Sequence, residues 1–315
     1  MTRDSPMATP NQKDQAVTEG LQYYLLGYNI KGSFSPLLHN TGFRLLGLPH
    51  SYGLFEVPNV DESVEKLLRD PKVGGLSVTA PHKLQVGKYM DAISEEARVM
   101  GSVNTIVASI SPGSNKRQLF GDNTDWLGIT RCIQGGRIDF NVPGITAVVL
   151  GAGGAARAAV YAFVKLGVEN IVVVNRTKER AQQLAANFPD HKIEIVESLH
   201  MLEERSETGS LKISVIVGCI PADVFTKADV PDWLFPNAER GVLVEMAYGK
   251  QTAITAKALA APNWNVFDGI DVLQQQAFGQ FEAWTGKPAP KMEMMEAVNN
   301  ALGRKFNPAF ADAKL

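Results

Sequence analysis

Residues 147–180, AVVLGAGGAARAAVYAFVKLGVENIVVVNRTKER, constrain this chain more than any other stretch. An apolar run leads into Gly151-Ala-Gly-Gly-Ala-Ala156, and a helix with small residues on its early face follows, ending near Gly167. A β-branched run from Ile171 to Val174 then closes a βαβ unit, the arrangement that binds dinucleotides. In it Gly151 permits the tight turn, and Gly153 lets the backbone approach a pyrophosphate. Ala156, at the third glycine position, keeps helix and strand close. The helix start offers free N–H groups to phosphates, so Gly151, Ala152, Gly153, Gly154 and Ala155 are the candidate cofactor-binding residues. The alternative is a glycine-rich turn that merely packs a helix on a strand.

The end of the second strand selects the nucleotide. A site for NAD places Asp or Glu about 20 residues beyond the glycines, where it holds the ribose 2′-hydroxyl. This chain has Asn175-Arg176-Thr177 there, with Arg180 one helical turn further on. No carboxylate stands at the strand tip to repel a 2′-phosphate, and two guanidiniums at i and i+4 could clamp one. NADP is the expected cofactor. NAD remains the alternative if the two arginines are only a solvated pair.

A length of 315 residues suggests about two domains with ample core. With 31 basic and 33 acidic residues nothing advertises nucleic acid or an acidic membrane. No apolar run approaches the roughly 18 residues of a transmembrane helix. The polar first 20 residues lack a signal-peptide core, which gives the expectation of a disordered tail and a cytoplasmic protein. Cys132 and Cys219 lie far apart, and His39, His50, His82, His191 and His200 show no ligand spacing. Neither a disulfide framework nor a metal site is expected.

Ahead of the glycine turn, strand and helix alternate. Strands are expected at 23–28, 52–57, 75–79 and 103–109. Helices are expected at 35–46, opened by Ser35-Pro36 as N-cap and N1, at 61–69, from Pro81, and at 94–100. Residues 119–122 read as the second arm of a hairpin whose turn is SPGSNKR, and a linking helix starts near Asp125. Such alternation implies a mostly parallel, covered sheet. Further strands are expected at 192–196, 214–217, 242–246 and 265–267. From Asp271 the chain reads as helical, with Trp284-Thr-Gly marking a stop.

Four polar clusters lie at element ends, where α/β folds line ligand sites. After the first strand come Ser33 and Ser35, two hydroxyls able to grip a polyol or carboxylate; the plain alternative is a turn residue and a helix cap. Ser77-Val-Thr79-Ala-Pro-His-Lys83 places a lysine one turn into the expected helix, against its dipole. A partly desolvated lysine can serve as acid or base, although a surface lysine is the ordinary explanation. Gly101-Ser-Val-Asn104-Thr105 and Gly121-Asp122-Asn123-Thr124-Asp125 complete the set. Asn123 to Asp125 read either as an Asx-turn with an N-cap or as the source of a carboxylate that orients Lys83.

The series SFSP, SVTAPHK, GSVNT, GDNTD, GAGGAA, NRT and QQQAFGQFEAWTG, in that order, closely resembles the shikimate/quinate dehydrogenase family, and the wording is most similar to its fungal branch. The resemblance covers about Tyr23 to Gly286. It implies an α/β fold of two domains, with a substrate-binding catalytic domain at 21–128, a Rossmann-type NADP-binding domain at 129–270, and C-terminal helices at 271–315 returning to the substrate domain. The family's lysine–aspartate pair falls on Lys83 and Asp125. Its carboxylate-holding hydroxyls fall on Ser33 and Ser35, and its ring-hydroxyl contacts on Thr79 and Asn104. Gln276 matches the glutamine of the C-terminal helix and Tyr248 a substrate-side tyrosine. Asn175, Arg176, Thr177 and Arg180 match the NADP-selecting turn, and Gly269 a nicotinamide-side glycine.

Two departures stand out. Ser77 replaces the family's usual Asn, and Gly218-Cys219-Ile220-Pro221 replaces the common Asn-Ala-Thr. The implied activity is reversible reduction of 3-dehydroshikimate to shikimate with NADP(H), by a monomer or homodimer. Quinate dehydrogenase, using NAD or NADP, is the rival enzyme, and a non-catalytic shikimate- or quinate-sensing protein is the rival outside catalysis.

Overall fold

Two six-stranded sheets organise the chain in a computed structural model that describes residues 20–110, 116–222, 224–236 and 240–310. The tail expected at the N-terminus falls outside these residues, Gly20 excepted, as do residues 111–115 of the expected hairpin turn. In chain order the elements are β1 (Gln22–Gly27), α1 (Ser35–Leu45), β2 (Ser51–Glu56), α2 (Glu62–Arg69), β3 (Val73–Val78), β4 (Ala92–Ile93), α3 (Glu95–Met100), β5 (Thr105–Ile110), β6 (Arg117–Asp122) and α4 (Asp125–Gly135). Then follow β7 (Ile145–Leu150), α5 (Gly154–Lys165), β8 (Asn170–Val174), α6 (Lys178–Ala185), β9 (Ile193–Val196), α7 (Glu203–Glu207), β10 (Lys212–Gly218), β11 (Gly241–Glu245), α8 (Ala253–Leu259), β12 (Trp264–Phe267), α9 (Gly269–Thr285) and α10 (Lys291–Leu302).

The chain divides into two units. The first holds the described residues up to Arg98, with Ser102–Thr124 and Ala277–Phe306. The second holds Val99–Gly101, Asp125–Gln276 and the described residues from Asn307.

The first unit's sheet has the order β2-β1-β3-β5-β6-β4. β1 runs parallel to β2 and β3, and β4 to β6, whereas β5 is antiparallel to both β3 and β6. The sheet is therefore more mixed than the alternating pattern suggested. β5 ends at Ile110 and β6 starts at Arg117, and so short a connection can only return antiparallel. Leu26, Leu76 and Ile106 are fully buried at its centre, each worth about 1.5–3 kcal/mol. An aromatic cluster closes the other face. Tyr23 lies 5.0 Å from Trp284 and 5.2 Å from Phe43 between ring centroids, and His39 stacks on Tyr52 at 4.6 Å. The indole N–H of Trp284 donates to the Ile106 carbonyl at 3.0 Å. Gly75 makes room for that ring, since a Cβ there would stand 2.4 Å from Trp284 Nε1.

One helix expected from sequence is absent. Residues 80–85 form successive turns, followed by a single 3-10 turn at Val86–Tyr89, and Ala80–Pro81 is cis. His82 explains the local path: its ring is fully buried and its Nε2 lies 2.8 Å from the Val57 carbonyl, which fixes the chain there. Lys83 therefore follows a turn, and its placement owes nothing to a helix dipole.

The second unit's sheet is parallel throughout, in the order β12-β11-β10-β7-β8-β9. Helices cover both faces of such a sheet, which is why the AVVL run of β7 is buried along its whole length. Ala156, Ala158, Ala159 and Ala162 of α5 are fully buried; a larger side chain at Ala156 would have to push the helix off the strand. Strand order reverses between β7 and β10, the place where open α/β sheets bind ligands. The ladder continues one residue past the strands here. Gly151 N–H donates to the Val174 carbonyl at 2.8 Å, Cys219 N–H to Leu150 at 2.8 Å, and Met246 N–H to Gly218 at 2.8 Å.

α9 starts two residues earlier than the sequence suggested, because Asp268 and Asp271 cap it reciprocally. Asp268 Oδ1 accepts from the Ile270 and Asp271 amides, and Asp271 Oδ2 accepts from the Asp268 amide at 3.0 Å. Gly286, at φ +65°, stops the helix as expected. Among the described residues no helix is long and apolar enough to cross a membrane, and no cluster of His, Cys, Asp or Glu is arranged to hold a metal.

Candidate active site

In the first unit β1 and β3 are parallel neighbours, so the segments that follow them leave from the same edge. Ser33 and Ser35 come after β1. The Ser33 hydroxyl lies 3.1 Å from that of Ser35 and accepts the Ser35 N–H at 3.3 Å. Phe34, not Ser35, is the N-cap of α1, and no side chain caps the helix. The cap expected of Ser35 is thereby corrected: both hydroxyls form one small polar grip, with Ser35 only 3% exposed.

Thr79 and Lys83, both half-buried, follow β3. Thr79 N–H donates to the Leu26 carbonyl at 2.9 Å, and the Lys83 carbonyl accepts from Val103 N–H at 2.9 Å. That second bond fixes the lysine segment beside Asn104. Asn104 is buried, and its Oδ1 accepts from Thr124 N–H at 2.8 Å and from the Thr105 hydroxyl at 2.6 Å. Its Nδ2 donates to the Thr124 hydroxyl at 3.1 Å. Asn123 donates to the Ser102 carbonyl at 2.9 Å. Asp122 beneath them is pushed above the usual carboxylate range by burial, opposed by the Ser94 hydroxyl at 2.5 Å and the Asn123 N–H.

Gln280 belongs to this group and was not singled out from the sequence. It is 1% exposed. Its Nε2 donates to the Asn104 carbonyl and to Thr105 Oγ1, both at 3.1 Å, and its Oε1 accepts from Ser77 at 2.8 Å. The family resemblance points to Gln276; Gln280, one turn later, carries no separate signal.

In the second unit Asp125 opens α4, directly after the anchored Thr124, and is 4% exposed. Gln276 of α9 is likewise buried, its Nε2 donating to Leu273 at 3.3 Å. Gly128 lets α4 and α9 approach, since a Cβ there would lie 2.7 Å from the Val272 carbonyl and 3.1 Å from Gln276 Cβ. Gly269 is equally confined: a Cβ would meet the Met246 carbonyl at 2.3 Å and the Tyr248 ring at 2.7 Å. Tyr248 itself is 37% exposed.

The glycine turn suits a dinucleotide. Gly151 has φ +108°, which disfavours any other residue, and a Cβ would stand 3.0 Å from the Cys219 carbonyl. Gly153 is exposed and is the N-cap of α5, with no side chain bonded to the helix start. The first amides of α5, from Gly154 and Ala155 onward, are placed to receive phosphate, with Ala152 half-buried in the turn. At the tip of β8, Asn175 donates to the Thr177 carbonyl at 2.7 Å, and Arg176, Thr177 and Arg180 are exposed. These residues fit an NADP adenosine phosphate. One carboxylate does reach the neighbourhood. Asp229 is held below its usual range chiefly by the Thr226 hydroxyl and N–H, with His200 and Arg176 adding to the effect. It arrives from a segment about 50 residues away, beyond the reach of the local spacing rule.

Comparison with known proteins places the chain in a family. The family described as "Shikimate dehydrogenase substrate binding domain" matches residues 25–106, and that described as "Shikimate / quinate 5-dehydrogenase" matches residues 137–266. The pentafunctional AROM polypeptide of Malassezia globosa is 40% identical over 287 residues, covering 88% of this chain and 17% of the relative. That of Schizosaccharomyces pombe is 41% identical over 275 residues, covering 85% and 17%. This chain thus spans about a sixth of the length of these curated relatives. The crystal structure of shikimate 5-dehydrogenase from Thermus thermophilus in complex with NADP(H) and shikimate is 30% identical, with a TM-score of 0.71, covering 89% of this chain and 99% of that one.

Proposed function

Because the chain belongs to the shikimate/quinate dehydrogenase family, we propose that it catalyses the reversible NADP-dependent reduction of 3-dehydroshikimate to shikimate, a step of aromatic amino acid biosynthesis. The observation that carries the reading is the gathering of the Ser33–Ser35 hydroxyl pair, Thr79, Lys83 and Asn104 around neighbouring ends of β1, β3 and β5. Residues 21–128 and 271–315 are assigned to the substrate, and 129–270 to the cofactor.

Ser33 and Ser35 donate to the substrate carboxylate, which a paired hydroxyl grip suits. Thr79, Asn104 and Gln276 bond the ring hydroxyls, and Tyr248 closes the substrate side. Bound NADPH supplies the hydride to the ring ketone, and NADP+ accepts it in reverse. The Lys83 ammonium bonds the ketone oxygen, gives it a proton as the alcohol forms, and recovers that proton in oxidation. Asp125 is assigned as the orienting partner of Lys83. The Gly151–Ala155 backbone cradles the pyrophosphate, Asn175, Arg176, Thr177 and Arg180 hold the 2′-phosphate, and Gly269 leaves space beside the nicotinamide.

A second reading, oxidation of quinate with NAD or NADP, is favoured by Asp229 in the field of Arg176 and by Ser77 in place of the family's usual Asn. Initial rates with shikimate and quinate, each offered NADP+ and NAD+, separate the two. Turnover confined to shikimate with NADP+ is expected. Quinate turnover with NAD+ would overturn the substrate and cofactor assignments together. Saturable shikimate binding without turnover in any mixture would replace the enzyme by a sensor.

A further inference from the structure

Glu245 ends β11 and is only 4% exposed. Both carboxyl oxygens are engaged: Oε1 accepts the Ala247 N–H and Oε2 accepts the Thr252 hydroxyl, each at 3.1 Å. Thr252 also caps α8, its Oγ1 accepting the Thr255 N–H at 3.2 Å. One side chain thus closes the segment 246–252, which carries Tyr248 and packs on Gly269.

On its other side the carboxyl lies against Gly218. A Cβ there would stand 2.8 Å and 2.9 Å from the two oxygens, so a side chain at 218 would displace the carboxyl. Gly218 opens the turn whose Cys219 carbonyl lies under Gly151. The small cavity bordering the carboxyl is walled by Leu150 of β7, Gly218 of β10, Ile220, Pro221 and Phe225 of the following turn, and Ile254 of α8. Among the described residues of that lining, Glu245 is the only ionisable group. Burial pushes its carboxyl up to about 7, against the pull of the Ala247 N–H, the Thr252 hydroxyl and the Met246 N–H.

We propose that Glu245 is a positioning residue for the cofactor side of the reaction: its carboxyl group joins the Tyr248 segment to the turn beneath Gly151, and only the neutral acid holds both in the arrangement that receives NADP. The inference rests on the dehydrogenase reading above. A neutral acid accepts the Ala247 N–H on its carbonyl oxygen and can turn its own O–H on Thr252 Oγ1, leaving no bare charge against the apolar walls; an ionised one keeps the donors but sets an unpaired charge against those walls. Cofactor binding accordingly weakens as pH rises through neutrality.

The test is the NADP+ dissociation constant by calorimetry, measured across pH for the full chain and for Glu245→Gln, whose amide cannot ionise. Dividing the two constants cancels the titration of the cofactor's own phosphate. The ratio of parent to variant should rise about fivefold or more between about pH 5.5 and pH 8.5. Thr252→Val supplies a second arm: removing the hydroxyl that favours the charged acid should move the midpoint of the parent's pH dependence upward. A flat ratio, or an unmoved midpoint, overturns the proposal while saturable NADP+ binding leaves the dehydrogenase reading standing. No NADP+ binding at any pH overturns both.

Discussion

The Ser77 hydroxyl donates to Oε1 of Gln280 across 2.8 Å, a buried bond between residues 203 positions apart that ties β3 to α9. Gln280 uses its amide on Asn104 and Thr105 at the same time. The side chain standing where the family usually has Asn is thus committed to an internal partner, and Gln280 holds the neighbours of two candidate ring-hydroxyl contacts.

Gln280→Ala strands these buried groups at once. A loss of about 2–4 kcal/mol is expected, since each unsatisfied buried polar atom costs about 1–3 kcal/mol. Ser77→Ala alone should cost about 1 kcal/mol, and less when Gln280 is already absent. Urea unfolding of the two single variants and the double variant measures the coupling; strict additivity would mean that the bond contributes nothing.

Lys83→Ala should lower kcat by about 10²–10⁴-fold, the usual worth of a general acid or base. NADP+ affinity should change by less than about twofold, because Lys83 is assigned to the substrate and not to the cofactor. Steady-state rates with cofactor titration check both. Retention of more than about a tenth of the turnover would remove Lys83 from its assigned role.

Arg176→Ala and Arg180→Ala should each raise the KM for NADP+ about tenfold while leaving that for NAD+ nearly unchanged, as expected for charge-assisted contacts to one phosphate. Asp229→Asn should act oppositely, tightening NADP+ by about twofold, because it removes a negative charge from the field of Arg176. Equal effects on both cofactors would place the arginines elsewhere than at the 2′-phosphate.

His39 makes acid stability a local question. Burial lowers its pKa to about 3, opposed by hydrogen bonding to the Gln280 side chain. Between about pH 6.5 and pH 3 the unfolded chain holds a proton that the folded chain refuses, so stability falls as pH falls through that window. His39→Phe keeps an aromatic ring against Tyr52 and removes the titration. Its half-unfolding pH, followed by circular dichroism, should lie below the parent's; an unchanged acid limb would show that His39 does not govern it.

Much of this was legible because it repeats with the period of its element or sits at its end. The buried run of β7 and the positive-φ turn at Gly151 read directly, whereas Ser33 and Ser35 on their own read equally as a turn residue and a helix cap. What escaped depends on contacts made across the chain. The turns after Pro81 follow a buried His82 held by Val57, and Asp229 reaches Arg176 from another segment. Glu245 and Gln280 gain importance only from partners that no local pattern names.

The turn after β10 is fastened by main-chain bonds at its first two residues, through Cys219 N–H to Leu150 and the Gly218 carbonyl to Met246. Such fastenings are indifferent to the identity of the side chains at positions 219 to 221. Gly218 is the exception, since Glu245 fills the space a side chain would need. Exchange of the Cys219 side chain is therefore expected to leave this mounting unchanged, while Ile220 is held to an apolar side chain by its packing on the core. Variation within a lineage is then expected to concentrate one residue beyond the glycine, where specificity can drift at little cost to folding.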